Sequence, residues 1–295
     1  MTILLTGGTG ELGLSLLSGL AQVEAVWAIS RQPRLALEPG TKWLVADLLD
    51  PPALESACRG VRVVIHMAAA THSAQSAPYF DCNVQGTANL LSAAERAGVE
   101  LFVHISTRAI GAAGGAYSHS KELAEQAVKK SQLAWVILRP AEVYGTGGRD
   151  PVLSLAQSLR KHSFVPILGA GQHELSPVCI EDVRDAILRC VQRPVAQGHT
   201  YVLAGPQRLT YLELVERLEG LLGLSPRRRI FIPLPIARMV FALSGSLGIG
   251  PYVPDQLPRL LLPKSSDIRE AARDLDYEPR VIEAGLRPLL GLPSL

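Results

Sequence analysis

One tyrosine and one lysine, Tyr117 and Lys121, stand four residues apart in the stretch YSHSK. Positions four apart share one face of a helix, so we expect both side chains to point the same way. A phenol is a poor base at neutral pH, because its ordinary pKa is about 10. A nearby ammonium favours the phenolate, and such a tyrosine can accept a proton from a hydroxyl or donate one to a carbonyl. A solvated helix face would explain the same spacing.

A glycine-rich stretch, TGGTGELG, occupies residues 6–13 between a short apolar run and an amphipathic one. Strand, glycine-rich turn and helix form the context that a dinucleotide-binding fingerprint needs. Gly7 can take the tight turn, Gly10 lets a pyrophosphate approach the backbone, and Gly13 lets the helix lie close to the strand. The helix N-terminus then offers N–H groups to the phosphates. A plain tight turn is the alternative interpretation.

The elements that must position these residues alternate between strand and helix over the first half of the chain. Strands are predicted at Ile3–Leu5, Ala25–Ser30, Trp43–Ala46, Val61–Met67, Leu101–Ile105 and Trp135–Leu138. Helices are predicted at Leu12–Ala21, Pro51–Ala57, Asn83–Ala97 and Tyr117–Lys130. This alternation predicts an α/β fold with a Rossmann-like, doubly wound parallel sheet, whose ligand lies at the carboxyl ends of the strands.

The pattern becomes looser after Gly145. We predict a dinucleotide-binding domain at 1–150 and a mostly smaller C-terminal substrate lobe at 151–295, with segments around 175–205 returning to the sheet. Helices are predicted at Pro151–Lys161, Glu181–Val191, Thr210–Leu222 and Val281–Leu290, and strands at Phe164–Gly171 and Thr200–Leu203. Thr210 and Glu213 have the spacing of a capping box.

Composition limits the class of protein. With 47% hydrophobic and 19% charged residues in 295, the chain is a well-cored globular protein. A net charge of +2 gives no electrostatic reason for nucleic-acid binding, and Arg227–Arg229 is predicted to be a solvated loop. The apolar segment Phe231–Gly250 is interrupted by prolines and an arginine, which favours a buried or interfacial helix over a membrane span.

Four cysteines are the only ones in the chain. Cys58, Cys82, Cys179 and Cys190 have no metal-binding spacing and lie in predicted strands and helices. We therefore expect reduced core thiols, no metal site and a cytoplasmic protein. A strand that starts at residue 2 also predicts that no signal peptide is present.

Several motifs occur together in a fixed order. They are residues 6–13 (TGGTGELG), Asp47-Leu48, His66 to Ala69, Asn83 to Thr87, Ser106-Thr107, Tyr117 with Lys121, Leu138 to Pro140, Val143 to Gly145, and Glu181 to Val183. With these motifs the chain resembles the extended short-chain dehydrogenase/reductase family, which includes the NAD-dependent epimerases and dehydratases. The similarity covers nearly the whole chain, and the joint order is far more specific than any single motif.

The resemblance implies a role for each matching residue. Tyr117 would be the acid/base, and Lys121 would hold the nicotinamide ribose and lower the pKa of Tyr117. Thr107, or else Ser106, would hydrogen-bond the reacting oxygen. The cofactor would be bound by Gly7, Thr9, Gly10, Glu11, Leu12, Gly13, Ser30, Arg31, Asp47, Leu48, Ala68, Ala69, Lys121, Pro140 and Val143. Packing, turn or helix-cap roles are the alternatives for Asp47, Ala68, Ala69 and Pro140, and His66 is expected to be a satisfied core histidine.

The second strand indicates which cofactor is used. An acidic residue at its end would bind the adenine ribose hydroxyls and repel a 2′-phosphate. Here the residues are Ser30 and Arg31, with Arg34 close by, and arginine suits bidentate phosphate contact. We therefore favour NADP(H) over NAD(H), the alternative being that Arg31 only faces water.

The substrate side departs from the sugar-nucleotide members of the family. The gap between Thr107 and Tyr117 is short, Leu175 or a neighbour stands where an arginine often grips a diphosphate, and Glu142 stands in place of an asparagine. The stretch LSPVCIEDV instead resembles the steroid- and ketone-reducing branches. We therefore expect the substrate to be either a nucleotide-sugar or a ketone- or steroid-like small molecule. The residues expected to contact it are Thr71, Ser106, Arg108 and Glu142.

Two functions from different classes remain open. One is NAD(P)-dependent oxidation or reduction at a carbinol or carbonyl carbon, possible also as one step of an epimerisation. The other is a non-catalytic cofactor-binding sensor or assembly subunit on the same fold. Such proteins commonly lack the Tyr/Lys pair, so its presence here favours the enzyme. Family members often pair through two sheet-flanking helices, which makes a homodimer through Asn83–Ala97 and Tyr117–Lys130 conceivable.

Overall fold

The structure is a computed structural model, and it describes residues 2–22, 24–34, 40–145, 150–193, 196–247 and 254–293. The strands in chain order are β1 (Thr2–Thr6), β2 (Ala25–Ser30), β3 (Thr41–Val45), β4 (Val63–His66), β5 (Leu101–Ile105), β6 (Ala134–Pro140), β7 (Val143–Tyr144), β8 (Phe164–Leu168), β9 (Glu174–Leu175), β10 (Val178–Cys179), β11 (His199–Leu203), β12 (Leu209–Thr210) and β13 (Arg228–Ile232).

Helices fill most of the connections. They are α1 (Glu11–Ala21), α2 (Pro51–Cys58), α3 (Ala77–Tyr79), α4 (Gly86–Ala97), α5 (Gly115–Lys130), α6 (Pro151–Lys161), α7 (Ile180–Gln192), α8 (Tyr211–Leu221), α9 (Leu234–Leu247), α10 (Gln256–Leu261), α11 (Arg269–Leu275) and α12 (Ile282–Leu289). A π-helical segment, Phe80–Gln85, joins α3 to α4. The helix predicted at Asn83–Ala97 therefore begins before Asn83, and its first part is wider than an α-helix.

One parallel sheet organises the first half of the chain. Its seven strands lie in the order β11-β6-β5-β4-β1-β2-β3, which confirms the predicted doubly wound fold. The order reverses at β1, where the two halves of the sheet diverge. Because all neighbouring pairs are parallel, the residues that follow each strand meet at one edge of the sheet.

Apolar layers cover both faces of this sheet. On one face α1 and α7 pack over residues such as Leu5, Val103 and Ile187. On the other face α2, α4 and α5 cover a second set that includes Phe102 and Leu90. Strands buried on both sides explain the continuous apolar runs of β4 and β5.

The C-terminal part adds a lobe with its own core, built mainly from α6, α8 and α12 around β8. Its α8 begins at the predicted capping box, in which Thr210 and Glu213 each accept from the other's backbone N–H. One segment leaves the lobe, because β11 pairs with β6 and extends the main sheet. The division of the chain at residue 150 stays a prediction.

The lobe corrects one prediction about Arg227–Arg229. Arg228 and Arg229 lie in β13, which pairs in parallel with β8, and the guanidinium of Arg229 forms a bidentate pair with Glu219. These residues are therefore not a solvated loop. The buried carboxylate of Glu219, on α8, gives the arginine its partner, and nothing in the local sequence signals that contact.

The apolar segment Phe231–Gly250 forms the end of β13 and α9, while residues 248–250 lie outside the described residues. Ala237 is buried, whereas Met239 and Leu243 are more than half exposed. The prediction of a buried helix thus holds for one face of α9 only. Among the described residues, no helix has both the length and the apolar character that a membrane crossing requires.

Two helical glycines provide a test of the close approach between α1 and the turn before it. A Cβ on Gly13 would lie 2.5 Å from the carbonyl oxygen of Gly7, whereas a Cβ on Gly220 in α8 would meet nothing within 4 Å. We expect Gly13→Ala to destabilise the fold by about 1–3 kcal/mol through overpacking. The matched control, Gly220→Ala, should stabilise it by about 0.5–1 kcal/mol, because alanine is the better helix former. Thermal unfolding followed by tryptophan fluorescence measures both, and equal effects would contradict this packing.

Candidate functional site

The turn between β1 and α1 has the shape that a dinucleotide needs. Gly7 has φ +75°, and a Cβ there would lie 2.6 Å from the backbone nitrogen of Ala68. A Cβ on Gly10 would meet only the Gly7 carbonyl, at 3.4 Å, so this side of the turn is open. Gly10 is also the N-cap of α1 and supplies no side-chain cap. The first N–H groups of α1 therefore stay available to a pyrophosphate, and this part of the chain fits a dinucleotide.

The other cofactor-binding candidates lie at the same edge of the sheet. Thr9, Glu11 and Leu12 belong to the turn and the start of α1, Ser30 and Arg31 end or follow β2, Asp47 and Leu48 follow β3, Ala68 and Ala69 follow β4, Pro140 ends β6, and Val143 begins β7. Thr6 fixes the backbone here, because its Oγ1 accepts from the N–H of Ala68 at 3.2 Å. The edge thus brings together the turn after β1 and residues that end or follow β2, β3, β4 and β6, while Val143 lies in β7, which pairs with β10 outside the main sheet.

Asp47 has a local role in addition to its place at this edge. Its Oδ1 accepts from the backbone N–H of Leu49 at 2.8 Å, which shapes the turn after β3. The cap of α2 is Asp50, whose Oδ1 accepts from Ala53. Asp47 is therefore not the cap of that helix, which removes one alternative explanation for it.

Tyr117 lies at the start of α5 and is 9% exposed. Burial raises its pKa above the ordinary value, while the charge of Arg259 and a hydrogen bond with the Thr107 side chain act in the opposite direction. The phenol is thus protonated at neutral pH and can donate a proton. Next to Thr107, the hydroxyl of Ser106 is buried without a partner among the described residues, so it is free to bind a ligand.

Lys121 is 2% exposed and lies on the same helix as Tyr117. Its Nζ donates to the carbonyl oxygen of Ile105 at 2.8 Å and lies 3.3 Å from Nε2 of His104, at the end of β5. Burial lowers the pKa of Lys121 to about 8, although Glu125 acts in the opposite direction. The lowering of the Tyr117 pKa by Lys121 stays a prediction.

Two buried histidines stand behind the site and are structural. His66 is 1% exposed, and its ring nitrogens contact Thr6 Oγ1 at 2.7 Å and Thr87 Oγ1 at 2.9 Å. Burial and the charge of Lys121 lower the pKa of His66 to about 3, and burial also lowers the pKa of His104. Both rings are neutral at pH 7, and the interpretation of His66 as a satisfied core histidine is confirmed.

Asn83, in the π-helical segment, ties the loop after β4 to α5. Its side-chain amide exchanges two hydrogen bonds with the backbone of Ala70, at 2.8 and 3.1 Å, and donates to Ser120 at 2.9 Å. This network holds α5 at a fixed distance from the loop of Ala68 and Ala69. Asn83 therefore positions the site without a contact to the reacting groups.

The C-terminal lobe contributes residues that the sequence did not identify. Asp255 is 8% exposed, and its carboxylate accepts from the backbone N–H of Tyr117 and from the hydroxyl of Tyr79, both at 3.2 Å. The guanidinium of Arg259, on α10, lies 4.5 Å from the centre of the Tyr117 ring. These residues follow Tyr117 by more than 130 positions, and no motif in the sequence links them to it.

A buried charged group joins the site to the lobe. Arg108 Nη2 donates to Glu142 at 2.5 Å, and Lys264 Nζ lies 3.4 Å from the other oxygen of Glu142. Burial alone raises the pKa of Glu142, but Arg108 and Lys264 outweigh it and hold the carboxylate ionised. Arg108 also donates to Ser266 at 2.6 Å. The two predicted substrate residues Arg108 and Glu142 are thus paired with each other, while Thr71 lies at the surface above Arg259.

An apolar cavity of about 460 Å³ opens in the lobe beside this charged group. Its walls include Leu155, Leu168, Leu175, Leu214, Val240 and Phe241. Glu142 and Leu260 also line it. The volume is that of a site for a small molecule, and its walls suit an apolar one. Among the described residues no group of histidine, cysteine and acidic side chains could hold a metal ion.

Comparison with known proteins gives a consistent picture. The sequence profile of the NAD dependent epimerase/dehydratase family matches residues 3–204. Subunit 9 of the NADH dehydrogenase [ubiquinone] 1 alpha subcomplex from Rattus norvegicus is 28% identical over 82% of this chain, which spans only 62% of that protein's length. The 2-alkyl-3-oxoalkanoate reductase of Stenotrophomonas maltophilia is 29% identical, with 98% of both chains covered.

Among solved structures, a UDP-glucuronic acid 4-epimerase mutant from Bacillus cereus, in complex with a UDP-sugar and NAD, superimposes with a TM-score of 0.75. The two chains are 22% identical, with 97% of this chain and 96% of the other covered. At this identity the likeness concerns the fold, and it agrees with the seven-stranded sheet described above.

The buried ammonium of Lys121 predicts a pH-dependent cost to stability. Its pKa falls from 10.5 to about 8 on folding, so the charged form is penalised by about 3 kcal/mol. Below pH 8 the penalty is full, and it disappears as the pH rises towards 10.5, because the folded chain then binds fewer protons than the unfolded one.

We therefore expect Lys121→Met to stabilise the protein at pH 7 by about 2 kcal/mol. Removing the buried charge should contribute about 3 kcal/mol, and losing the hydrogen bond to Ile105 should cost about 1 kcal/mol. The gain should shrink at alkaline pH. Thermal unfolding across this pH range measures it, with Lys129→Met, an exposed lysine of the same helix, as control. A gain that does not depend on pH would contradict the buried charge.

Proposed function

Because the chain belongs to the NAD dependent epimerase/dehydratase family, we propose that it is an NAD(P)-dependent oxidoreductase acting at a carbinol or carbonyl carbon, with Tyr117 as the acid/base. The observation that carries this proposal is the burial of a protonated phenol at the edge of the sheet. Its hydrogen bond with the Thr107 side chain supports this role, because proton transfer needs a phenol that is held in one orientation.

A bound nicotinamide would supply or accept the hydride. The residues of this chain would do the rest: Tyr117 donates its proton to the carbonyl oxygen in reduction, and Thr107, with the unpartnered Ser106 beside it, would orient that oxygen. The ammonium of Lys121 would bind the ribose hydroxyls. Burial of all these groups excludes water and strengthens each charged contact.

The substrate is proposed to be a ketone or secondary alcohol with an apolar body. The cavity beside Glu142 has apolar walls, which suit a hydrocarbon body better than a sugar or a nucleotide base. Leu175 lines this cavity. It or a neighbour stands where the sugar-nucleotide members of the family often carry an arginine that grips the diphosphate, which supports an apolar substrate. The full-length similarity to a reductase of 2-alkyl-3-oxoalkanoates supports the same class.

Two other functions have some support. Epimerisation of a nucleotide-sugar is suggested by the family itself. A non-catalytic assembly subunit is suggested by the similarity to the rat respiratory-chain subunit, although this chain spans 62% of that protein's length. Retention of Tyr117 and Lys121, both buried at the sheet edge, supports the enzyme over the subunit. We also propose, from the family resemblance, a homodimer through α4 and α5 and a cytoplasmic location.

NADP(H) remains the favoured cofactor in this proposal. Ser30 is buried at the end of β2, and its Oγ accepts from the N–H of Gln32 at 3.3 Å. Arg31 is exposed at the point where the adenine ribose would lie. Arg34 stacks on Trp43, 5.7 Å from its ring centre, which places a second cation on the same side.

Replacing the phenol tests the catalytic assignment. Tyr117→Phe should lower kcat by about 10²–10⁴, because proton transfer is lost, and leave the Kd for the cofactor unchanged. The control is Tyr277→Phe, a buried tyrosine that donates to Ala204 outside the site. Steady-state turnover and cofactor titration by fluorescence provide the two readouts. Unchanged turnover in the Tyr117 variant would overturn the assignment.

The choice of cofactor rests on a separate substitution. Arg31→Ala should weaken NADPH binding about tenfold to a hundredfold, the value of a charge-assisted contact, and leave NADH binding unchanged. Arg59→Ala, an exposed arginine after α2, controls for the change in net charge. Equal losses for both cofactors, or a wild type that prefers NADH, would reverse the assignment to NAD(H).

A further inference from the structure

We propose that the substrate carries a carboxylate within a few bonds of its carbonyl carbon, that Arg259 binds this carboxylate, and that the apolar cavity takes the alkyl part. This inference rests on the proposed oxidoreductase function and narrows its substrate to amphipathic oxo acids. The hydride and proton transfers are unchanged, since Arg259 would take no part in the bonds that form or break.

Arg259 is a cation at the site whose guanidinium still has N–H groups that can donate to a ligand. Its Cζ lies 4.5 Å from the centre of the Tyr117 ring. Within the part of the chain that the structure describes, its guanidinium forms one hydrogen bond, a long contact to the carbonyl of Thr71 at 3.4 Å. No carboxylate of the described residues forms an ion pair with it. A guanidinium has five N–H donors in a planar fork, which matches a carboxylate.

The carboxylate closest in sequence is already occupied. Asp255 precedes Arg259 by one helical turn, but its two oxygens accept from the hydroxyl of Tyr79 and the backbone N–H of Tyr117. These bonds hold the start of α10 against α5. They also direct the Asp255 carboxylate towards Tyr79 and Tyr117 and away from an ion pair with Arg259. Arg259 is thereby held over the phenol by the same helix that docks the lobe.

Among the described residues, the charges around Arg259 leave an excess of one positive charge, to which the ammonium of Lys121 on the helix of Tyr117 adds another. The cations are Arg108, Arg259 and Lys264, and the carboxylates are Glu142 and Asp255. Arg108 and Lys264 share the one carboxylate of Glu142, and the Nε of Arg108 is buried without a partner among the described residues. Buried charge without compensation is costly, so an anionic ligand would stabilise this arrangement.

The apolar cavity lies beside the segment that carries Arg259. The residue directly after Arg259, Leu260, lines this cavity of about 460 Å³, and so does Glu142. Lys264 Nζ donates to the carbonyls of both Arg259 and Leu260, at 3.4 and 3.3 Å, which fixes this junction. A ligand with its anionic end at Arg259 can therefore extend its hydrocarbon part into the cavity.

The separation of the two ends of the ligand follows from this geometry. The guanidinium lies over the ring whose hydroxyl would meet the substrate oxygen. The anionic group and the carbonyl must then be close neighbours in the ligand, as in a 2-oxo or 3-oxo acid. A carboxylate at the far end of a long chain would lie in the apolar cavity, where no cation would compensate it.

The test compares an acid with its neutral ester in the direction of alcohol oxidation. The substrates are 3-hydroxydodecanoate and methyl 3-hydroxydodecanoate, and the proteins are wild type, Arg259→Gln and Arg59→Gln. We expect wild type to prefer the acid about tenfold to a hundredfold in kcat/KM, the value of one charge-assisted contact. Arg259→Gln should lose this preference, measured as the ratio of the kcat/KM values for acid and ester, because any effect of the lost charge on Tyr117 acts on both substrates and cancels in the ratio. Arg59→Gln should behave as wild type.

A second measurement does not depend on turnover of the acid. Dodecanoate should inhibit ester oxidation competitively in wild type, and at least tenfold more weakly in Arg259→Gln, whereas methyl dodecanoate should inhibit both variants equally. The thermal midpoint of Arg259→Gln shows whether the variant is folded. If it is not, Arg259→Lys provides the same comparison with the charge retained and the fork removed, and it should keep a reduced preference for the acid.

The outcomes separate this inference from the proposed function. Turnover of acid and ester at equal rates by wild type would overturn the role of Arg259 and leave the oxidoreductase standing. An acid preference that survives in Arg259→Gln would place the anion on another cation and would also overturn it. Absence of turnover with these alcohols, together with turnover of a UDP-sugar, would overturn both the proposed substrate class and the inference.

Discussion

The parallel register of the seven-stranded sheet is the constraint on which the site depends. Because every neighbouring pair of strands is parallel, the segments after β1, β2, β3, β4, β5 and β6 all reach the same edge. Residues separated by up to 140 positions thereby surround one crevice. Because neither residue carries a Cβ, Gly7 lets the turn after β1 lie against the segment that follows β4, and Gly13 lets α1 lie against that turn. A bulkier turn would move α1 and close the space in which a pyrophosphate fits.

Burial determines the protonation of the titratable groups at the candidate site. It raises the pKa of Tyr117 and lowers the pKa values of Lys121 and His66, so each group is pushed towards its neutral form. The phenol is therefore a proton donor at neutral pH, as a reductase would need. The histidines stay neutral and serve as hydrogen-bonding parts of the core behind the site. Only the ammonium of Lys121 keeps its charge at pH 7, at a cost to stability that a ligand contact could offset.

The C-terminal lobe adds side chains to the edge of the sheet at which the proposed cofactor and substrate sites lie. Its α10 reaches back over α5, where Asp255 fixes the backbone of Tyr117 and Arg259 covers the ring. The same segment carries Leu260 to the mouth of the apolar cavity. In the proposed function, polar and apolar contacts to the ligand would both come from one helix of six residues, Gln256–Leu261. The proposed chemistry at the phenol and the proposed selection of the ligand would then depend on different halves of the chain, which the ion pairs around Glu142 join.

The sequence alone determined the fold and the dinucleotide turn, because periodicity, glycine spacing and helix caps are local properties. The predicted strand β2 and helix α6 match the structure residue for residue, and the capping box at Thr210 is present. The tertiary structure alone decided which charges meet. Arg229 pairs with Glu219, Arg108 pairs with Glu142, and Arg259 contacts the ring of Tyr117. No local sequence pattern predicts any of these three contacts. These contacts join distant segments, and their energies depend on burial, which exists only after the two halves of the chain have packed together.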